Sequence, residues 1–180
     1  IRIGVNAGSL EKGLLDKCGG DLPKAMVESA KRHVEILNRF DFDNIVLSMK
    51  SSNVAATVKA YRLASQTFDY PLHLGVTEAG TIKQGIVKSS VGIGSLLVDG
   101  IGDTIRVSLT DDPILEVSAA KSILRALDLD ENYIEVVSCP TCARTKIDLI
   151  SIANAVNDAV EGINKNLKVA VMGCVVNGPG

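Results

Sequence analysis

The sequence predicts an α/β chain: half of a (β/α)8 TIM-type barrel over residues 1–130, followed by a smaller βαβ unit over residues 131–180. Three observations predict it. Four β-rich runs alternate with helix-like segments, every run has one apolar and one polar parity, and the pattern changes near residue 130.

The four runs are IRIGV (1–5), NIVLSM (44–49), LHLGV (72–76) and TIRVSL (104–109). Between the first two, LPKAMVESAKRHVEIL places Ala25, Val27, Ala30, Val34 and Leu37 near a 3.6-residue period, with Pro23 where a first helical turn tolerates it. After the fourth run, DPILEVSAAKSILRALDL has the same character and starts behind Asp111, Asp112 and Pro113, which suit a helix start.

Parity decides between the possible sheets. Ile1, Ile3 and Val5, Ile45, Leu47 and Met49, Leu72, Leu74 and Val76, and Ile105, Val107 and Leu109 form the apolar set. The alternate positions carry Arg2, Asn6, Ser48, Lys50, His73, Thr77, Thr104, Arg106 and Ser108. An open doubly wound sheet buries both faces and reads as continuously hydrophobic, whereas a barrel can turn its polar parity toward a catalytic mouth. Four βα units make half a barrel, whose free strand edges need another half or a second copy to close.

Beyond residue 130 the order is IEVVS, SCPTCARTK, a helix within KIDLISIANAVNDAVEGI, and VAVMG. A right-handed crossover sets the two strands parallel and brings their carboxyl ends to one edge. Cys139 and Cys142 follow the first strand and Cys174 follows the second, so three thiols are expected at that edge. Taken alone, CPTC leaves a dithiol, structural zinc and iron–sulfur all open. The third thiol favours metal, since a dithiol enzyme does not need it. Structural zinc and a cubane cluster each take four ligands, so the fourth comes from elsewhere or stays open. Cys18, in LDKCGGD, reads as an unpaired surface thiol.

Composition narrows the classes further. With 180 residues, 46% of them hydrophobic, the chain can bury a real core. A net charge of −2 with scattered basic residues gives no nucleic-acid footprint and no membrane-surface stripe. Apolar runs such as VAVMGCVV fall short of the roughly 20 residues that cross a bilayer. Four cysteines, two in CPTC, fit metal or redox chemistry in a reducing compartment better than a disulfide framework. Opening on IRIGVNAGS, without a methionine or a leader, the chain reads as an entry inside a strand, so a fragment is expected.

On the polar parity, Arg2, Lys50 and Arg106 place several positive charges at one mouth, which calls for an anion. With Asn6 and Ser108 as neutral donors, the set suits phosphate or diphosphate. Glu78, in VTEAG just past its strand, is either an acid–base group or a helix-capping glutamate. His73 sits earlier in its strand, where burial is as reasonable as catalysis. GIGSLLVDGIGD lacks the full dinucleotide fingerprint, so its glycines read as turn and packing glycines.

Together, RIGVNAGS, HLGVTEAG, GIGDTIRVSL, SCPTCART and MGCVVNGPG, in this order, closely resemble the 4-hydroxy-3-methylbut-2-enyl diphosphate synthase family, also called IspG or GcpE, across the whole chain. The resemblance implies a TIM barrel joined to an α+β domain with a 4Fe-4S cluster held by three cysteines, here Cys139, Cys142 and Cys174, and one glutamate. That glutamate directly follows GPG in the family pattern, one position past Gly180. By the same resemblance residues 1–130 are the C-terminal half of the barrel, and 131–180 are the start of the iron–sulfur domain. Arg2, Asn6, Lys50, Arg106 and Ser108 are expected on the substrate diphosphate, with Glu78 as proton donor.

The implied reaction is the reductive ring opening and dehydroxylation of 2-C-methyl-D-erythritol 2,4-cyclodiphosphate to 4-hydroxy-3-methylbut-2-enyl diphosphate, in the non-mevalonate isoprenoid pathway. Electrons arrive singly from ferredoxin or flavodoxin. The family further implies a homodimer in the bacterial cytoplasm or plastid stroma. A half barrel lacking one ligand is expected to be inactive alone and to bind a cluster poorly. The competing readings are a phosphate-binding barrel with structural zinc, and a dithiol oxidoreductase using Cys139 and Cys142.

Overall fold

The computed structural model describes residues 1–178. Pro179 and Gly180 of the MGCVVNGPG motif, and the glutamate expected after them, lie outside the described residues. The chain forms two compact units, Ile1–Leu127 and a second from Asp128 onward.

In the first unit strands and helices alternate: β1 (Arg2–Asn6), a 3-10 turn (Ala7–Ser9), α1 (Leu14–Lys17), α2 (Leu22–Asn38), β2 (Val46–Lys50), α3 (Val54–Thr67), β3 (His73–Gly75), α4 (Ile82–Val98), β4 (Thr104–Arg106) and α5 (Pro113–Arg125). Helix starts follow local chemistry. Asp21 accepts the Lys24 N–H ahead of Pro23, Asn53 accepts the Ala56 N–H, and Asp112 accepts the Ile114 N–H ahead of α5.

All pairings are parallel. In the β1–β2 ladder Arg2 faces Val46 and Asn6 faces Lys50; in the β3–β4 ladder His73 faces Thr104 and Gly75 faces Arg106. Among the described residues a single bridge, Leu47 to Leu72, joins β2 to the start of β3. Parallel direction puts the carboxyl ends of all four strands on one edge.

The apolar parity packs under the helices. Ile3, Val5, Ile45, Leu47, Met49 and Leu74 are buried against residues such as Met26, Val34, Tyr61 and Ile93, and each large aliphatic side chain so enclosed contributes about 1.5–3 kcal/mol. Ile1 departs from its parity and stays exposed, because it precedes the first ladder residue. Helix α4 comes close to the sheet through glycines: a Cβ on Gly92 would lie 2.6 Å from Val76 Cγ2.

Tyr61 makes up for the sparse β2–β3 pairing. Its fully buried hydroxyl accepts the Met49 N–H at 3.0 Å and donates to the His73 carbonyl, so a side chain of α3 stitches the two strands where ladder bonds are missing. Burial pushes the phenol up to about 12. Tyr61→Phe in the full-length protein leaves the Met49 N–H without an acceptor and is expected to cost about 1–3 kcal/mol. Urea unfolding reads this as a lower midpoint; an unchanged midpoint contradicts the stitch.

The second unit runs β5 (Ile134–Ser138), α6 (Leu149–Val160) and β6 (Leu167–Val171), with β5 and β6 parallel and Ser138 facing Val171. Asp148 caps α6 through the Ser151 N–H. Its core is thin. Leu149 and Val171 are buried while Ile147, Ile150, Ile152 and Ile163 stay exposed, as expected where one helix covers one face of a two-stranded pair. Among the described residues no helix is long and apolar enough to cross a membrane.

Candidate functional site

Arg2, Lys50 and Arg106 share the polar face of the first unit. Arg2 Nη1 lies 3.3 Å from His73 Nε2, although β2 runs between their strands, and His73 Nδ1 lies 2.7 Å from Thr104 Oγ1. Gly4 and Ser48 face each other in the ladder between them. Gly75 opens a gap. A Cβ there would sit 3.7 Å from Lys50 Cε, 3.8 Å from Arg106 Cβ and 3.1 Å from the Arg106 carbonyl oxygen, so the missing side chain lets two cationic residues flank one strand position.

Crowding shows in the electrostatics. Desolvation first, then the charges of Arg106 and Arg2, lower the Lys50 ammonium to about 8. His73, 8% exposed, is lowered by burial and then by Arg2, Lys50 and Arg106. Among the described residues no carboxylate lies within ion-pairing distance of Arg2, Lys50 or Arg106; the pairs that form lie elsewhere, Arg62–Asp99 and Arg32–Glu28 on the helical surface and Lys168–Glu135 between two strands of the second unit. A face with gathered positive charge and no internal counter-charge has a strong field for an anion.

The remaining expected residues sit along the same edge. Asn6 ends β1, its side-chain oxygen is occupied by the Gly8 N–H at 3.2 Å, and its amide NH2 is left as the donor end. Ser108 is half-buried beyond the end of β4. Glu78 is exposed past β3 and caps no helix: Thr81 occupies the N-cap of α4, without a side-chain cap bond. The glutamate backbone has φ of 52°, a left-handed conformation costing a residue with a Cβ about 1–2 kcal/mol. Strain of this kind clusters at functional turns.

In the second unit both cysteine loops leave the carboxyl edge of the β5–β6 pair. Cys139 Sγ accepts the Gly173 N–H at 3.3 Å, tying the end of one strand to the residue before Cys174. Lys146 N–H donates to the Gly173 carbonyl at 3.2 Å, and Thr145 Oγ1 accepts the Cys142 N–H at 3.1 Å. The Cys142 thiol is exposed, and the Arg144 backbone N–H, followed by the Arg144 side chain and the Thr145 hydroxyl, draws it below its usual range. Cys174, half-buried, lines a groove of about 770 Å³ with Arg144, Lys146, Met172 and Val176.

The donors fit a soft metal group. Cys139, Cys142 and Cys174 are free thiols, one already receives a backbone N–H, and among the described residues that line the groove beside Cys174 there is no carboxylate or imidazole. Their closure is a different matter. Among the described residues no three His, Cys, Asp or Glu side chains stand close enough to hold a metal ion, so the fold brings the thiols to one edge without gathering them into a finished triad. Cys18 caps the end of α1 in the first unit and takes no part.

Several contributors escape a reading of the sequence. Gly75 has a signal, a glycine inside an apolar strand. Thr145 has one too, a hydroxyl three residues after Cys142. Tyr61 has none, because a single tyrosine in a helix does not announce which strands its hydroxyl will join.

Comparison with known proteins agrees with this layout. Residues 1–121 match the family model described as the GcpE TIM-barrel domain, and residues 135–180 match that of the GcpE protein C-terminal domain. The first match contains the cationic face, and the second contains the three thiols. Over all 180 residues the chain is 63% identical to a Clostridium tetani protein, 61% to one from Caldanaerobacter subterraneus and 59% to one from Geobacter sulfurreducens. Each is named 4-hydroxy-3-methylbut-2-en-1-yl diphosphate synthase (flavodoxin). The matches cover 100% of this chain and 52%, 51% and 51% of those relatives, so the chain spans about half the length of the curated relatives it matches. The chain belongs to the GcpE family.

Proposed function

We propose that this chain is the central part of an iron–sulfur oxidoreductase that opens 2-C-methyl-D-erythritol 2,4-cyclodiphosphate and reductively dehydroxylates it to 4-hydroxy-3-methylbut-2-enyl diphosphate. The observation that carries the proposal is the trio Arg2, Lys50 and Arg106, gathered on one face with no carboxylate among the described residues to neutralise it. Such a face calls for a multiply charged anion, and the family's named product carries a diphosphate. The four βα units form the C-terminal half of the barrel, residues 1–130, and residues 131–180 form the start of the iron–sulfur domain.

In this reading the three cations bind and orient the diphosphate, while the Asn6 amide and the Ser108 hydroxyl add neutral donors at the same edge. Glu78, held on a left-handed turn past β3, supplies a proton to the reacting carbon skeleton. Cys139, Cys142 and Cys174 hold a 4Fe-4S cluster, and a glutamate beyond the described residues completes its ligand set. When bound, that group supplies single electrons and a Lewis-acidic iron. Flavodoxin or ferredoxin is the electron donor, the working unit is a homodimer, and the compartment is the bacterial cytoplasm or plastid stroma.

Anaerobic reconstitution of the full-length protein tests the metal assignment. Iron with acid-labile sulfide and broad visible absorption is expected. Stoichiometric zinc without colour would establish the structural-zinc alternative, and a reversible Cys139–Cys142 disulfide with no metal affinity would establish the dithiol one.

A further inference from the structure

His73 has no assigned role in the chemistry above, yet both of its ring nitrogens are engaged. Nε2 lies 3.3 Å from Arg2 Nη1, and Nδ1 lies 2.7 Å from Thr104 Oγ1. A guanidinium nitrogen can only donate, so Nε2 must present its lone pair. The proton of a neutral ring then sits on Nδ1 and is donated to the Thr104 hydroxyl. The opposite tautomer, or a protonated ring, would set one N–H donor against another across the Arg2 contact. Arg2 thus selects the tautomer, because the Thr104 hydroxyl can donate or accept, and Thr104 holds the ring in the orientation that gives Arg2 its acceptor.

We propose that His73, a neutral Nδ1–H imidazole whose ring Thr104 holds in place, is a positioning residue that aims the Arg2 guanidinium at an anion in the cationic mouth. The inference rests on the reading of that mouth as a diphosphate site. Arg2 is exposed and lies at the start of β1, so without an acceptor its long side chain samples many rotamers. One bond from Nη1 to His73 leaves the other guanidinium donors for a phosphate oxygen. The surrounding charges favour the neutral ring: Arg2 on β1, Lys50 on β2 and Arg106 on β4 all face His73, and burial acts in the same direction. Tyr61 on α3 holds the His73 carbonyl, fixing the backbone from which the ring projects. With both nitrogens occupied, the ring has no free site for proton transfer to substrate.

The test uses the full-length protein, with inorganic diphosphate as the probe. Nitrogen NMR of the His73 imidazole is expected to show an unprotonated Nε2 and a protonated Nδ1 at neutral pH. Thr104→Val removes the hydroxyl from an exposed position and should let the ring turn away from Arg2, moving the Nε2 resonance and weakening diphosphate binding about five- to tenfold. Thr104→Ser keeps the hydroxyl and should retain both the wild-type spectrum and an affinity within about twofold. An Nε2-protonated or cationic ring in the wild type overturns the proposal, as does a Thr104→Val protein whose affinity is unchanged. If the tautomer is as stated but the wild type binds no diphosphate, the anion-site reading falls, and with it the purpose assigned to the contact. The spectrum separates the two failures.

Discussion

Cys174→Ser in the full-length protein is expected to lower bound iron and sulfide to a small fraction of wild type after anaerobic reconstitution, and to reduce turnover by at least about 100-fold. Replacing a group that merely supports a metal ligand already costs 10- to 100-fold, and removing a soft ligand from a set of three costs more. Cys174 stands alone on its loop, whereas Cys139 and Cys142 share theirs, so nothing neighbouring can replace it. The unfinished closure of the thiols sharpens the expectation, because the group itself must draw the loops together. Iron and sulfide analysis checks it directly. A serine variant with wild-type cluster content removes Cys174 from the site.

Lys50 carries the second large effect. An ammonium lowered from 10.5 to about 8 by burial and by Arg106 and Arg2 becomes more favourable once an anion arrives, so diphosphate binding near pH 8 should take up protons. Affinity for inorganic diphosphate is expected to be highest below pH 8 and to fall as pH rises through it. For stability the sign is opposite. Between about 8 and 10.5 the unfolded chain holds the Lys50 proton more tightly than the folded one, so this residue's contribution to stability improves as pH rises through that window. Below pH 8 its cost to folding is fully present. Lys50→Ala should weaken diphosphate binding roughly 10- to 100-fold, the range of a charge-assisted contact. Lys50→Arg keeps the charge, does not titrate in this range, and should remove the protein's part of the pH dependence. Calorimetry in buffers of different ionisation enthalpy measures the proton uptake, and its absence from the wild type contradicts the assignment.

Much of this layout could be read in the sequence, because a strand's alternation and a helix's 3.6-residue period are local properties. Arg2, Lys50 and Arg106 fall on one face by parity alone, and the parallel order of the strands then puts Asn6, Glu78 and Ser108 along one edge. What stayed hidden is non-local. Arg2 and His73 are 71 positions apart on strands that are not neighbours, and only the folded sheet brings them together. Gly75 matters for what its missing side chain admits, and Tyr61 for a gap in the ladder that only the folded sheet reveals. Glu78 adopts a left-handed backbone against the preference of its side chain, which no propensity anticipates. The thiols show the same divide: crossover topology predicts their shared edge, whereas their spacing depends on loop conformation and side-chain direction.

The proposed function has one cationic sheet edge and three loop thiols serve a single reductive reaction. Its most direct test gives the reconstituted full-length protein 2-C-methyl-D-erythritol 2,4-cyclodiphosphate and reduced flavodoxin under strict anaerobiosis, and follows both diphosphates by phosphorus NMR. Conversion to 4-hydroxy-3-methylbut-2-enyl diphosphate at a rate that depends on the flavodoxin is the predicted result. A protein with its full complement of iron and sulfide that leaves the cyclic diphosphate intact would contradict the account.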